Sequence, residues 1–77
     1  MRILGEITCV ETIASGRAVQ ARQLLRKRFG PGRWRKMKGI AWVELDDGKI
    51  VRAKLHWYEA HGLGRHMVKI KRIIASP

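Results

Sequence analysis

The sequence has little acidic charge and almost no cysteine. Its 77 residues contain 6 Asp+Glu against 17 Lys+Arg, which gives a formal net charge of +11. The single cysteine, Cys9, cannot form an internal disulfide, and there is no second thiol for a thiolate metal site. A reducing compartment suits such a chain, so we expect a cytoplasmic protein.

Long apolar runs are also absent. Gly5 and Glu6 interrupt the first apolar residues before the about 7 to 15 that a signal peptide needs, and no uncharged run approaches the about 18 of a membrane span. We therefore expect neither export nor a membrane partner. A chain this short buries only about 60% of its unfolded surface, which excludes large cofactor-binding folds and leads us to expect no cofactor. We expect a single domain over residues 1–77, with a frayed tail at 75–77.

The acidic residues leave a carboxylate-free interval from Thr12 to Val43. Its basic residues are Arg17, Arg22, Arg26, Lys27, Arg28, Arg33, Arg35, Lys36 and Lys38. Cations without local counter-charges repel one another, and a polyanion that neutralises them is the simplest explanation. Nucleic acid is the first candidate, since phosphates attract such a surface. The alternative is a solubilising surface with no defined site.

Periodicity predicts the first two elements. Alternating apolar and small or polar residues predict a strand from Arg2 to Val10. A helix is predicted from Arg17 to Phe29, which Ser15 can cap and which Gly30 and Pro31 would end. Its apolar stripe consists of Ala18, Ala21, Leu25 and Phe29.

The dipeptide Asp47-Gly48 predicts a two-residue hairpin turn with positive φ at both positions. This turn places Asp46 opposite Lys49, and side-chain alternation then assigns the faces. The predicted core face carries Ile40, Trp42, Val51, Ala53, Leu55 and Trp57. The second face carries Arg52, Lys54, Tyr58, and His56 opposite Gly39, together with Val43, Leu45 and Ile50, which leave a homodimer open.

A loop from Glu59 to Arg65 and a last strand from His66 to Ile74 complete the prediction. On this strand Lys69 and Lys71 share one side, while Arg72 falls among the inward residues Val68, Ile70 and Ile74. The predicted order is β-α-β-β-β, an α+β fold in which one helix packs on a mainly antiparallel sheet.

The segment from His56 to His66 holds all the histidines and the only tyrosine. Two imidazoles can share general acid and base work, and an arginine can stabilise a phosphorane. A metal-independent ribonuclease would use His56, Glu59 and His61 with Arg65. Structural roles are the alternative for these histidines and the expected role of His66. No fourth ligand completes a zinc site, so no metal is expected. Whether the chain is an enzyme stays open.

Aromatic and basic residues together suggest where nucleic acid would bind. Trp57 and Trp42 are predicted to face inward, whereas Trp34 either stacks on bases or closes the core beneath the helix. The predicted nucleic-acid-binding residues are Arg22, Arg26, Arg33, Trp34, Arg35, Lys36, Lys38, Arg52, Lys54, Lys69 and Lys71.

The stretch HWYEAHGLGRHMVKIK, preceded by GRWRKMKGIA, resembles a group of small basic bacterial proteins and toxin-type C-terminal modules. The resemblance covers the last half of the chain. At the level of fold, the domain looks like the ribosome-dependent messenger-RNA interferases of toxin–antitoxin systems, although no paired-helix hairpin precedes its sheet. That likeness implies action on RNA.

These observations lead to three functional hypotheses. The first is a small nucleic-acid-binding module, with RNA favoured over DNA because no duplex-reading motif is present. The second is a metal-independent ribonuclease of toxin type. The third is a protein-interaction module for an acidic partner.

Overall fold

The computed structural model describes residues 1–76 and shows a four-stranded sheet with one α-helix. In chain order the elements are β1 (Arg2–Ser15), a 3-10 turn (Gly16–Ala18), α1 (Arg22–Phe29), β2 (Arg35–Glu44), β3 (Ile50–Ala60) and β4 (Gly64–Ala75). The sheet is antiparallel throughout, in the order β1-β2-β3-β4. The predicted α+β fold, with its helix between the first two strands, is confirmed. Within the described residues, no helix has the length and apolar character to cross a membrane.

Both ends of the chain contain more strand than the sequence predicts. β1 continues past Val10 to Ser15, which pairs with Arg35 of β2. At the other end, Ala75 is the last residue of β4 and pairs with Arg52. Pro77, the end of the expected tail, lies outside the described residues.

The predicted helix begins too early. Ser15 makes no side-chain capping bond, and only a 3-10 turn follows it. Val19 is extended, with φ −81 and ψ 110, and it is buried. Burial of this side chain outweighs the helix propensity of its neighbours, so α1 begins only at Arg22. Its predicted end at Phe29 is confirmed.

The first hydrophobic cluster lies on one face of the sheet. It consists of Met37, Ala41, Val43, Val51, Ala53, Leu55 and Trp57. Ile3 and Ile7 of β1 and Val68 and Ile70 of β4 pack against it from the two edge strands. Register shifts interrupt the β1–β2 and β3–β4 pairings, and such bulges bend and twist a strand. The edge strands therefore cover this core, and α1 is not needed for it.

The second hydrophobic cluster joins α1 to one end of the sheet. It contains Val19, Leu25, Trp34 and Ala60, with Phe29, Tyr58 and Leu63 packed around them. Trp34 is 0% exposed, and its Nε1 donates a hydrogen bond to the carbonyl of Gly30 at 3.0 Å. Trp34 therefore closes the core beneath the helix, and the structure leaves no surface of it on which a base could stack.

The turn between β2 and β3 has three residues, Asp46 to Gly48, instead of two. Leu45 and Lys49 close it, since the Leu45 amide donates to the Lys49 carbonyl at 2.8 Å. A two-residue turn would need positive φ at Asp47, but the only non-glycine residues with positive φ in 1–76 are Cys9 and Met67. Gly48, at φ +86, supplies the single positive φ that the longer turn requires. The register is therefore one residue away from the predicted one, and Glu44 pairs with Ile50.

This shift exchanges the two faces of β2. Trp42 and Ile40, predicted to face the core, lie on the opposite face, while Ala41 and Val43 enter the first cluster. Of the three residues predicted for an exposed dimer face, Val43 is buried, Leu45 packs against the first cluster, and Ile50 is exposed. The predicted inward residues of β3 are confirmed, because alternation within that strand does not depend on the turn.

Two further predictions are wrong: the turn changes the pairing of His56, and a bulge changes the side on which Arg72 lies. His56 faces Lys38, and Gly39 instead faces Leu55. On β4, a bulge at Lys71 moves Arg72 from the inward side to a position opposite Lys54.

Candidate nucleic-acid interface

The face of the sheet turned away from the first cluster gathers cations from three adjacent strands. Pairing aligns four rows across it, and alternation points their side chains to the same side. From the β2–β3 turn towards α1, the rows are Leu4, Trp42, Arg52 and Ala75; Thr8, Ile40, Lys54 and Arg72; Glu11, Lys38, His56 and Lys69; and Ala14, Lys36, Tyr58 and His66. We call these rows, together with Lys71 at the bulge, the basic sheet face.

Most cations of the basic sheet face have no carboxylate partner among the residues that the structure describes. Within residues 1–76, its one ion pair between side chains joins Lys38 to Glu11 at 3.2 Å. In the described part of the chain, the cations without such a pair are Lys36, Arg52, Lys54, Lys69, Lys71 and Arg72. A hollow of about 190 Å³, lined in part by Lys38, Lys54 and Arg72, lies between the second and third rows. Glu11 also lines the hollow, so three cations face one carboxylate, and the remaining positive charge would attract a phosphate group.

His56 lies in the middle of this face. Its two ring nitrogens are shielded from solvent, and neither has a hydrogen-bond partner in the described part of the chain. Burial lowers the pKa of His56, and Lys36, Lys71, Lys54 and Lys69 lower it further by charge repulsion. The imidazole is therefore neutral at pH 7, with one ring nitrogen able to donate and the other able to accept a hydrogen bond.

The four predicted catalytic residues do not form one site. Alternation along β3 places Glu59 on the face opposite His56. Glu59, His61 and Arg65 do share a shallow hollow, which Arg35 also lines. A general acid and base pair from His56 with Glu59 is therefore not assembled.

The carboxylate of Glu59 is held by two neighbours. Trp57 Nε1 donates to Oε1 at 2.7 Å, and the Arg35 guanidinium donates to Oε2 at 3.0 Å. These bonds satisfy a polar atom of a buried tryptophan and fix the side chain of Arg35. Arg35, predicted to contact nucleic acid, thus lies in an ion pair away from the basic sheet face.

His66 belongs to the packing beneath α1. Its ring stacks on Phe29, with centroids 4.0 Å apart and an interplanar angle of 16°, and lies edge-on to Trp34 at 5.8 Å. Its Nε2 also bonds to the carbonyl of Leu63. These contacts give His66 the structural role expected of it.

The predicted arginines of the helical region come together at a second place. Arg22, Arg26 and Arg33 line a hollow of about 490 Å³ with Arg17, Gly16, Pro31 and Gly32. The Arg33 guanidinium lies 3.7 Å from the position that a Cβ on Gly16 would occupy. In residues 1–76 none of these arginines forms an ion pair. We call this the arginine hollow.

Sequence reasoning missed three residues of these surfaces. Arg17 stood in the carboxylate-free interval, and it lines the arginine hollow beside Gly16, which has φ +57. The position of Arg72 on the basic sheet face depends on the bulge at Lys71. The face on which Trp42 lies depends on the length of the β2–β3 turn. A three-residue turn, assumed instead of a two-residue one, would have placed Trp42 outside the core.

Comparison of this chain with protein-family models, with curated proteins and with solved structures finds no match. The two basic surfaces and their chemistry are therefore the features that indicate a function.

Proposed function

We propose that this protein is a small RNA-binding module that contacts phosphates through its basic sheet face. The observation that carries the proposal is the gathering of Lys and Arg from β2, β3 and β4 on one face, where Glu11 is the only carboxylate in the four rows. A phosphodiester chain supplies the missing counter-charges and releases its own condensed cations on binding. The arginine hollow adds phosphate contacts near the helical end of the molecule.

RNA is the better target than duplex DNA because residues 1–76 contain no helix that suits a major groove. α1 has 8 residues, and its Leu25 is buried against the sheet. A helix of that length spans only about 12 Å. RNA is commonly bound on the surface of a sheet, where bases and backbone lie across adjacent strands.

The proposal is tested by binding of a labelled RNA of about 12 nucleotides over a salt series. The informative variant replaces three cations of the basic sheet face: Lys36→Gln, Lys54→Gln and Lys69→Gln. The matched control replaces three exposed cations outside both surfaces: Lys27→Gln, Arg28→Gln and Lys49→Gln. Both variants lose the same net charge, so a difference between them reports position rather than total charge.

We expect the wild-type dissociation constant to rise steeply with salt. The sheet-face variant should bind at least about tenfold more weakly, and its slope of log K against log salt should be smaller by about 2, since each phosphate contact contributes about 0.7. The control should stay within about twofold of the wild type. A flat salt response, or equal weakening in both variants, contradicts the proposal.

The same samples separate the other two hypotheses. RNA that is cleaved by the wild type and left intact by His61→Ala would indicate a ribonuclease working from the hollow of Glu59, His61 and Arg65. Affinity for an acidic protein without affinity for RNA would indicate a protein-interaction module.

A further inference from the structure

Within residues 1–76, Trp42 is the one tryptophan that the fold leaves at the surface. It is 40% exposed, whereas Trp34 is 0% and Trp57 is 2% exposed. Its indole lies on the basic sheet face, in the row nearest the β2–β3 turn. On this face Trp42 lies between Leu4 of β1 and Arg52 of β3, and a large exposed aromatic side chain gains free energy from a ligand that covers it.

The surroundings of Trp42 limit the kind of ligand. Arg52 is its direct partner on β3, and Lys54 is the next residue on the same side of that strand. The nearest carboxylate along β2, Glu44, is already paired with Arg2 at 3.1 Å. The site therefore combines a flat apolar surface with neighbouring positive charge. An apolar protein partner would leave Arg52 and Lys54 without counter-charges.

An unpaired nucleotide satisfies both requirements at once. Its base offers an aromatic face to the indole, and its phosphates reach the cations beside it. In a duplex the base faces are stacked on one another and cannot reach a side chain on a sheet.

We propose that Trp42 is the stacking platform for an unpaired base, so that the ligand of the basic sheet face is single-stranded. This inference rests on the proposed function and specifies its substrate class. The strand would lie across β2 and β3, with a base on Trp42 and its phosphates beside Arg52 and Lys54.

The test compares a labelled single-stranded RNA of about 12 nucleotides with a duplex of the same length for four proteins. These are the wild type, Trp42→Ala, Trp42→Phe and the control Leu24→Ala, which removes another exposed apolar side chain, 45% exposed on α1. We expect Trp42→Ala to bind the single strand between about 5-fold and about 100-fold more weakly, with duplex affinity changed by less than about 2-fold. Trp42→Phe should keep most of the affinity, and Leu24→Ala should match the wild type.

Tryptophan fluorescence gives an independent readout. Because Trp34 and Trp57 are buried, quenching of the emission by single-stranded RNA should come from Trp42. The quenching should be absent in Trp42→Phe even though that variant still binds.

The outcomes distinguish the stacking from the proposed function. If RNA binding depends on salt but is unchanged in Trp42→Ala, or if it does not quench the tryptophan emission, the stacking proposal is overturned. The proposed RNA-binding function is not contradicted by either result. A dimer that Trp42→Ala converts to a monomer without loss of RNA affinity assigns the indole to a contact between copies and also overturns the stacking. Absence of salt-dependent binding to either RNA overturns both proposals.

Discussion

At the scale of single residues, His56 shows how burial and neighbouring cations of the basic sheet face lower the pKa of a side chain. The imidazole is held among Lys36, Lys54, Lys69 and Lys71, and its ring nitrogens are shielded from water. Protonation of this ring would add a further positive charge to a crowded positive surface. The imidazole of His56 therefore binds a proton less readily in the folded protein than in the unfolded chain.

The lowered pKa of His56 predicts that acid destabilises the folded state. Because the pKa of His56 is lowered in the folded state, the unfolded chain binds more protons at pH values below the ordinary histidine value of about 6.5. The free energy of unfolding should be highest above that pH and should fall as the pH decreases from about 7 to about 5. Urea denaturation across this range measures it.

Substitution isolates the contribution of His56. In His56→Gln the free energy of unfolding should decrease less over this pH range. In His61→Gln, which changes an exposed turn position, it should decrease as much as in the wild type. If the free energy of unfolding changes equally with pH in the wild type and in His56→Gln, the imidazole of His56 does not cause the loss of stability in acid.

At the scale of elements, the bend of β1 over the first cluster depends on Gly39 of β2. A Cβ at this position would lie 2.5 Å from Ile7 Cγ2, 3.0 Å from Trp57 Cη2 and 3.2 Å from the carbonyl oxygen of Thr8. The last of these is backbone, so the edge strand itself would have to move. The glycine thus lets β1 lie close over the buried indole of Trp57.

Gly39→Ala should therefore destabilise the fold by about 1 to 3 kcal/mol, the usual cost of adding volume to a packed site. Thermal or urea unfolding measures the loss. The control is a double-mutant cycle with Ile7→Ala, which removes the shortest contact. The double variant should be more stable than the sum of the two single effects predicts, and strict additivity would show that Ile7 is not what the new methyl group meets.

At the scale of the whole molecule, charge repulsion opposes the fold. Of the six acidic side chains, all except Glu6 are in an ion pair within residues 1–76, and the chain still has a net charge of +11. The cations of the basic sheet face and of the arginine hollow are held near one another by the fold, which raises their mutual repulsion above that of the extended chain.

Added salt should therefore stabilise this protein while it weakens RNA binding. We expect the melting temperature to rise between about 20 mM and about 300 mM NaCl, because screening shortens the range of repulsion. The rise should be smaller in the variant with Lys36→Gln, Lys54→Gln and Lys69→Gln. A melting temperature that is flat or falls with salt would show that repulsion among these cations does not limit stability.

Much of the architecture could be predicted locally. The end of α1 at Phe29 followed from Gly30 and Pro31, and the inward set of β3 followed from alternation alone. The start of α1 could not be predicted in this way, because burial of Val19 in the second cluster decided it. The candidate site was harder than the fold, since it depended on register: a single extra turn residue moved Trp42 from the predicted core to the basic sheet face.

What the sequence determined by itself is the identity of the elements and the excess of positive charge, because periodicity, terminating residues and composition are local properties. The tertiary structure alone decided which residues meet. It separated His56 from Glu59, buried Trp34, and aligned the cations of three strands. The physical reason is that side chains alternate along a strand, so faces depend on how the strands are paired, and turn length and bulges set that pairing through contacts between distant residues.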